Sequence, residues 1–333
     1  MKVLNKELKT LNHSSQITNI ARAILIKVMK FRRMVDSEEH KCPTDCNKCH
    51  APHLNKVIRA VKSKQAISFV LPAFPGKSPN PSKVLGGLPD MAEKQALKFL
   101  NNLCEEIKNI YPPGARVIIC SDGRVFSDVV GITEEDITNY QAEIEHIIKE
   151  SELMAISTFN LDDVFTGVSF DYAREILLGK YGQSLDELKN KVKRGGNNSD
   201  VPSDKEAHRM YCGLTRFLVE DSMHPSQVKS KTSIQKECKI KAYQAIIRSN
   251  AWTDLIAEEF PDAIRLSIHP QICGSKKIGI QLLGTETWMT PWHGVAVKSG
   301  NSYMLMKHKE AKKLNTVLVS DENGRSSHFE LVE

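Results

Sequence analysis

The sequence predicts an α/β fold of Rossmann-like type: a mostly parallel sheet flanked by helices, with a smaller antiparallel β portion at the C-terminus. Short runs rich in Val and Ile stand at 66–71, 116–121, 153–157 and 264–269. Stretches with helical apolar spacing separate them, an alternation that builds parallel sheets. After residue 277 the helical stretches give way to closely spaced strand-like runs.

Taken in order, residues 15–34 repeat apolar side chains at helical spacing (Ile17, Ile20, Ala21, Ile24, Val28). A polar, Cys-rich segment follows to His53, and a second amphipathic helix is expected over 52–62. Helices are expected between the strands at 91–110, 134–149 and 204–220. In the tail, strands are expected at 277–283, 294–298, 303–307, 317–320 and 328–332, with turns at "SGN" and "DENG". The segment "GGNNSDVPS", 195–203, reads as a mobile loop or lid. This divides the chain into an N-terminal helical and Cys-rich segment (1–63), an α/β domain carrying the chemistry (64–298) and a β-rich extension (299–333).

The chain has 333 residues and a net charge of +6. Its basic residues are interleaved with acids, which fits small anionic ligands and gives no nucleic-acid patch. Lys189–Arg194, the densest basic run, reads as a solvated helix end. The N-terminus lacks the apolar core of a signal peptide, and no run approaches a membrane span, so a cytoplasmic protein is expected. Eight cysteines in a chain this long are expected to be mostly reduced thiols.

Gly76-Lys77-Ser78 mimics the end of a phosphate-binding loop, but Leu71 stands where that loop requires glycine. Pro72 and Pro75 remove backbone donors, and Pro79 and Pro81 oppose a helix start. What remains is a stiff loop after a strand, expected to present Lys77, Ser78, Asn80 and Lys83; a solvated proline loop is the plainer alternative. In "ICSDGRVFSDVVG", Asp122 suits acid–base work and Arg124 suits a carboxylate or phosphate, although a simple Asp-Gly turn with a salt bridge would look the same. His269, Lys276 and Lys277 follow another strand. Trp292 and His293 precede one, and both could equally be structural. Phe74, Phe126 and Trp292 could line an apolar slot or fill the core. Arg209 and Arg216, seven apart, share one helical face and could grip one anion or simply face solvent. Cys42, Cys46, Cys49 and His53 match a closed zinc site in ligand type but not in standard spacing. A reduced-thiol loop is the first reading, and no metal is assigned.

Four blocks in order, "LPAFPGKSPNPSKVLGGLPDMAE", "YPPGARVIICSDGRVFSDVVG", "HPQ" and "WMTPWHGV", resemble the isocyanide (isonitrile) synthases of the pyoverdine/dityrosine biosynthesis family. The resemblance spans roughly residues 46–297. It implies an enzyme of secondary-metabolite biosynthesis that converts the α-amino group of an L-amino acid, tryptophan or tyrosine, to an isonitrile. The carbon would come from ribulose 5-phosphate. No redox cofactor is implied, and an iron/2-oxoglutarate oxygenase would act next. On this reading Lys77, Asp122, His269 and His293 are catalytic. Ser78, Asn80, Arg124, Arg209, Arg216, Lys276, Lys277 and Trp292 bind substrates. Loss of Lys77 or Arg124 would then abolish product with little effect on melting. The rival readings are another sugar-phosphate-dependent transferase or lyase, and a non-enzymatic binding module stabilised by metal at Cys42–His53.

Overall fold

The structure, a computed structural model, describes residues 2–35, 42–283 and 289–332, with side chains from residue 15 onward. Trp288, which opens the fourth sequence block, lies outside the described residues.

A five-stranded parallel sheet forms the centre, in the order β3-β2-β1-β4-β5. Its strands are β1 (Ile67–Leu71), β2 (Ala115–Cys120), β3 (Ile156–Phe159), β4 (Ile264–Ser267) and β5 (Ile278–Gly279). Because side chains alternate along a strand, each face buries its own set. Ile67, Phe69 and Leu71 enter the main core with residues of α1 (Lys2–Met29), α2 (Asn47–Lys62), α3 (Met91–Lys108) and α5 (Glu134–Glu150). Val70, Ile118 and Cys120 face the other way, onto α4 (Gly123–Val130), α7 (Phe170–Tyr181) and α10 (Lys231–Glu259). The short α6 (Leu161–Val164) follows β3, and α8 (Leu185–Gly196) and α9 (Pro202–Ser222) form a hairpin that packs on α10. The sequence marks only the basic end of α8, at Lys189–Arg194, and gives no expectation of α7 or α10. In α10 apolar residues are spread around the helix, so no single stripe marks it.

The helix expected over 52–62 begins earlier, at Asn47, and Pro52 sits inside it. As the sixth residue of the helix it removes the bond that an N–H there would make to the Lys48 carbonyl, and the helix continues past it. The run at 277–283 contributes only the two residues of β5.

The second sheet has the order β7-β6-β9-β8, from β6 (Val295–Ser299), β7 (Ser302–Met306), β8 (Thr316–Ser320) and β9 (Ser326–Leu331), with the short α11 (His308–Ala311) between β7 and β8. It is mixed rather than antiparallel, because β6 pairs β9 in parallel. A division at 298/299 therefore falls inside the β6–β7 hairpin. Ala296 and Leu305 pack on Ala92 at the start of α3, and Arg325 of the β8–β9 hairpin donates to Glu143 of α5 at 2.9 Å.

The segment at 195–203 is a pinned turn rather than a free lid. Arg194 reaches buried Asp204 with two bonds, at 2.7 and 3.0 Å, and Ser199 donates to the same carboxylate at 3.0 Å. A side chain at Gly195 would strike the Asp204 carbonyl oxygen at 2.1 Å, so glycine is what permits the close approach. No helix among the described residues is long and apolar enough to cross a membrane.

Candidate active site

The strand order places β1 at the centre, with β2 on one side and β4 on the other. The chain leaves β1 toward β2 and β3 and later returns to β4, so the β1/β4 boundary is a topological switch point. In open parallel sheets a crevice opens there, beyond the carboxyl ends of the strands. The loops after β1, β2 and β4 carry Lys77–Lys83, Asp122 and His269 to this edge.

Helix α9 lies across the same edge, as its contacts show. Near its start, Glu206 is 3.5 Å from Lys277 of the β4–β5 loop. Near its end, the Phe217 ring meets His293 edge-on at 4.3 Å. Glu206, Arg209, Gly213, Arg216 and Glu220 repeat at helical spacing along that side. Arg209 and Arg216 are exposed, and among the described residues neither has an ion-pair partner. A side chain at Gly213 would meet nothing within 4 Å, so the space beside the helix there is open.

At the end of α9, Asp221 is buried and collects three partners. Ser78 donates its hydroxyl proton to Oδ1 at 2.7 Å, Lys83 pairs with the same oxygen, and His293 Nε2 lies 3.6 Å from Oδ2. Burial alone would raise the Asp221 pKa, but the His293 contact and the Lys83 charge outweigh it and hold the carboxyl below its usual range. Burial pulls the His293 imidazole down, opposed in part by Asp221. Thr290 Oγ1 meets the other ring nitrogen, Nδ1, at 2.8 Å, so both nitrogens are oriented.

Asp122 ends β2 as the N-cap of α4. Among the described residues its Oδ1 is buried without a hydrogen-bond partner, and burial raises the carboxyl to about 7. Arg265 of β4 lies within electrostatic reach; two of its nitrogens, Nε and Nη1, also lack partners. His269 is accessible to solvent yet enclosed enough that desolvation lowers its imidazole to about 4, with Lys277, Arg33 and Arg265 acting the same way.

Several expected site residues are buried and paired with other groups of the protein. Lys77 is 3% exposed, and its ammonium meets Asp90 at 2.8 Å, Glu93 at 2.7 Å and the Pro291 carbonyl at 3.3 Å. Those contacts use all three donors, so the loop does not present Lys77 outward. Asp90 and Glu93 form the capping box that starts α3, so Lys77 pins the β1 loop to that helix. Ser78 and Asn80 face α9 rather than open space: Asn80 Nδ2 donates to the Glu220 carbonyl at 2.8 Å.

Arg124 is buried, its charge matched by Glu134 and Asp162 at 3.1 Å each, with its guanidinium 3.8 Å from the centre of the Phe170 ring. Trp292 is core, 2% exposed and 5.2 Å from buried Phe74 between ring centres. Lys276 is exposed, and Lys277 is half-buried beside Glu206. His53 is not gathered with the three cysteines; burial lowers it to about 4 beside Ser275.

Asp221 and Arg265 were missed as site residues, yet each left a signal. An acid in the last turn of a helix opposes the helix dipole, and an arginine inside an apolar strand must find a reason for its burial.

A model of the pyoverdine/dityrosine biosynthesis protein family matches residues 57–319. The chain belongs to the isocyanide synthases of that family. It is 44% identical over 326 residues to an L-tryptophan isonitrile synthase of Fischerella ambigua, covering 96% of each chain. It is 42% identical to an L-tyrosine isonitrile synthase of Xenorhabdus nematophila, covering 94% of this chain and 92% of that one. The crystal structure of the PvcA protein from Pseudomonas aeruginosa superposes with a TM-score of 0.85 at 39% identity, covering 94% of this chain and all of that one. In this family member the matched region holds every residue of the crevice described above.

Proposed function

We propose that the protein converts the α-amino group of L-tryptophan or L-tyrosine to an isonitrile, with ribulose 5-phosphate as the carbon donor, in secondary-metabolite biosynthesis. The observation that carries this reading is Asp122: an unpartnered carboxyl at a strand end, held near 7, beside a crevice with unpaired cations. Joining an amine to a ketone requires a base for the ammonium proton and an acid to release water. A carboxyl near neutrality suits the first task, and the His293–Asp221 pair suits proton transfer in later steps. His269 is a further proton carrier at the β4 end.

Both substrates are anions. Arg209 and Arg216 on α9, with Lys276 and Lys277, would receive the sugar phosphate, and Arg265 the amino-acid carboxylate. Lys77 and Arg124 act by holding their loops. The isonitrile would then pass to an iron/2-oxoglutarate oxygenase.

The test is mass spectrometry of purified enzyme with ribulose 5-phosphate and each proteinogenic amino acid in turn. The expected product carries one added carbon as an isonitrile, from tryptophan or tyrosine. No such product from any amino acid would overturn the reading.

A further inference from the structure

The sequence brings Cys42, Cys46 and Cys49 together within one turn-and-helix segment. The fold adds a fourth cysteine from far along the chain. Cys273, in the β4–β5 loop, lies 3.5 Å from Cys49 and 3.8 Å from Cys46 between sulfurs, and Cys42 is 3.4 Å from Cys49. All four sulfurs fall within 4.8 Å of one another. We infer that Cys42, Cys46, Cys49 and Cys273 form a tetrathiolate site for one structural zinc ion.

The geometry is that of a metal site rather than of disulfides. Sulfurs at the corners of a tetrahedron with Zn–S bonds of about 2.3 Å stand roughly 3.8 Å apart, close to the separations here. A disulfide brings its sulfurs to about 2.0 Å, and all four cysteines are free thiols. A tetrahedral set of four thiolates selects zinc or iron–sulfur chemistry, and sulfurs this close leave no room for a multi-iron cluster.

The surroundings fit a site with excess negative charge. Cys46 is the N-cap of α2 and Cys49 lies in its first turn, where free backbone N–H groups favour thiolates. Arg32 donates to the carbonyls of Cys42 and Pro43, fixing the segment that carries the first ligand. The Lys48 side chain lies against Gly274, directly after the fourth ligand.

The position gives such an ion a purpose. Cys273 stands between His269 and Lys277, so the metal would clasp the β4–β5 loop to α2 and fix one wall of the crevice. This inference does not depend on which amino acid, if any, the enzyme consumes.

Full-length protein, expressed with supplemental zinc and purified without a metal-binding tag, should contain about one zinc per chain by mass spectrometry of the metal. A mercurial reagent should release it to a metallochromic dye. Cys273→Ser and Cys46→Ser should lose the metal, and Cys212→Ser, altering an exposed cysteine elsewhere, should keep it. Should the site variants not fold, wild-type protein made in cobalt-supplemented medium decides: a thiolate-to-cobalt charge-transfer band is expected. Metal at background level with no such band would overturn the site. So would an intact mass showing disulfides among these four cysteines, or zinc retained in Cys273→Ser.

Discussion

His293 Nε2 lies 3.6 Å from Asp221 Oδ2, joining a short 3-10 turn ahead of β6 to the last turn of α9. Neither element alone builds the pair; the crevice between them does. Asp221→Asn keeps the shape and removes the charge that orients and supports the imidazole. It should lower kcat/KM by about 100-fold or more, in the range of general acid–base contributions. Steady-state kinetics on the isonitrile product measure this, and a variant within threefold of wild type would exclude the pair from catalysis.

Asp122 gives a linked prediction for stability and pH. Its carboxyl titrates at about 7 in the folded protein, raised by burial from 3.8. Between those values the native state binds more protons than the unfolded one, so this group lowers stability as pH rises from about 4 to 7. Asp122→Asn should therefore be more stable than wild type at pH 8, by about 1–2 kcal/mol after allowance for partial exposure, with the gain vanishing near pH 4. The same variant should lose activity, and the acidic limb of the wild-type kcat/KM profile should lie near 7. Equal melting temperatures for the two proteins at pH 8 would count against the buried, unpartnered carboxyl.

Lys77 tests scaffold against chemistry. Lys77→Met would leave Asp90 and Glu93 buried without their cation, a loss of about 3–5 kcal/mol. Thermal unfolding should show a clear drop in melting temperature, roughly 4–7 °C. The sequence alone suggests the opposite, a dead but stable enzyme. A variant with unchanged melting and no activity would return Lys77 to the site.

Arg209→Ala and Arg216→Ala remove exposed arginines with no partner to strand, so melting should stay within about 1 °C. Each should raise KM for ribulose 5-phosphate about tenfold, and added salt should weaken wild-type binding more than that of the variants. Unchanged KM in both would place the phosphate elsewhere.

Phosphate-loop chemistry could be excluded at Gly76-Lys77-Ser78 from Leu71 and the prolines alone, because missing backbone donors are a local property. The parallel sheet was legible for the same reason: alternation and short apolar runs reflect burial residue by residue. The order of the blocks around Lys77, Asp122, His269 and His293 also pointed to the family.

Tertiary structure decided which charges were already matched. A lysine or arginine looks the same in sequence whether it awaits a ligand or is paired by residues from other elements. Lys77 meets Asp90 and Glu93, and Arg124 meets Glu134 and Asp162, while Arg209 and Arg216 have no ion-pair partner among the described residues. Cys273 shows the same principle: spacing in sequence offered His53 as fourth partner to the three cysteines, but the fold brought a distant thiol instead. Local pattern determines which elements form; the pairing of buried charges and the gathering of ligands are long-range, and only the folded chain sets them.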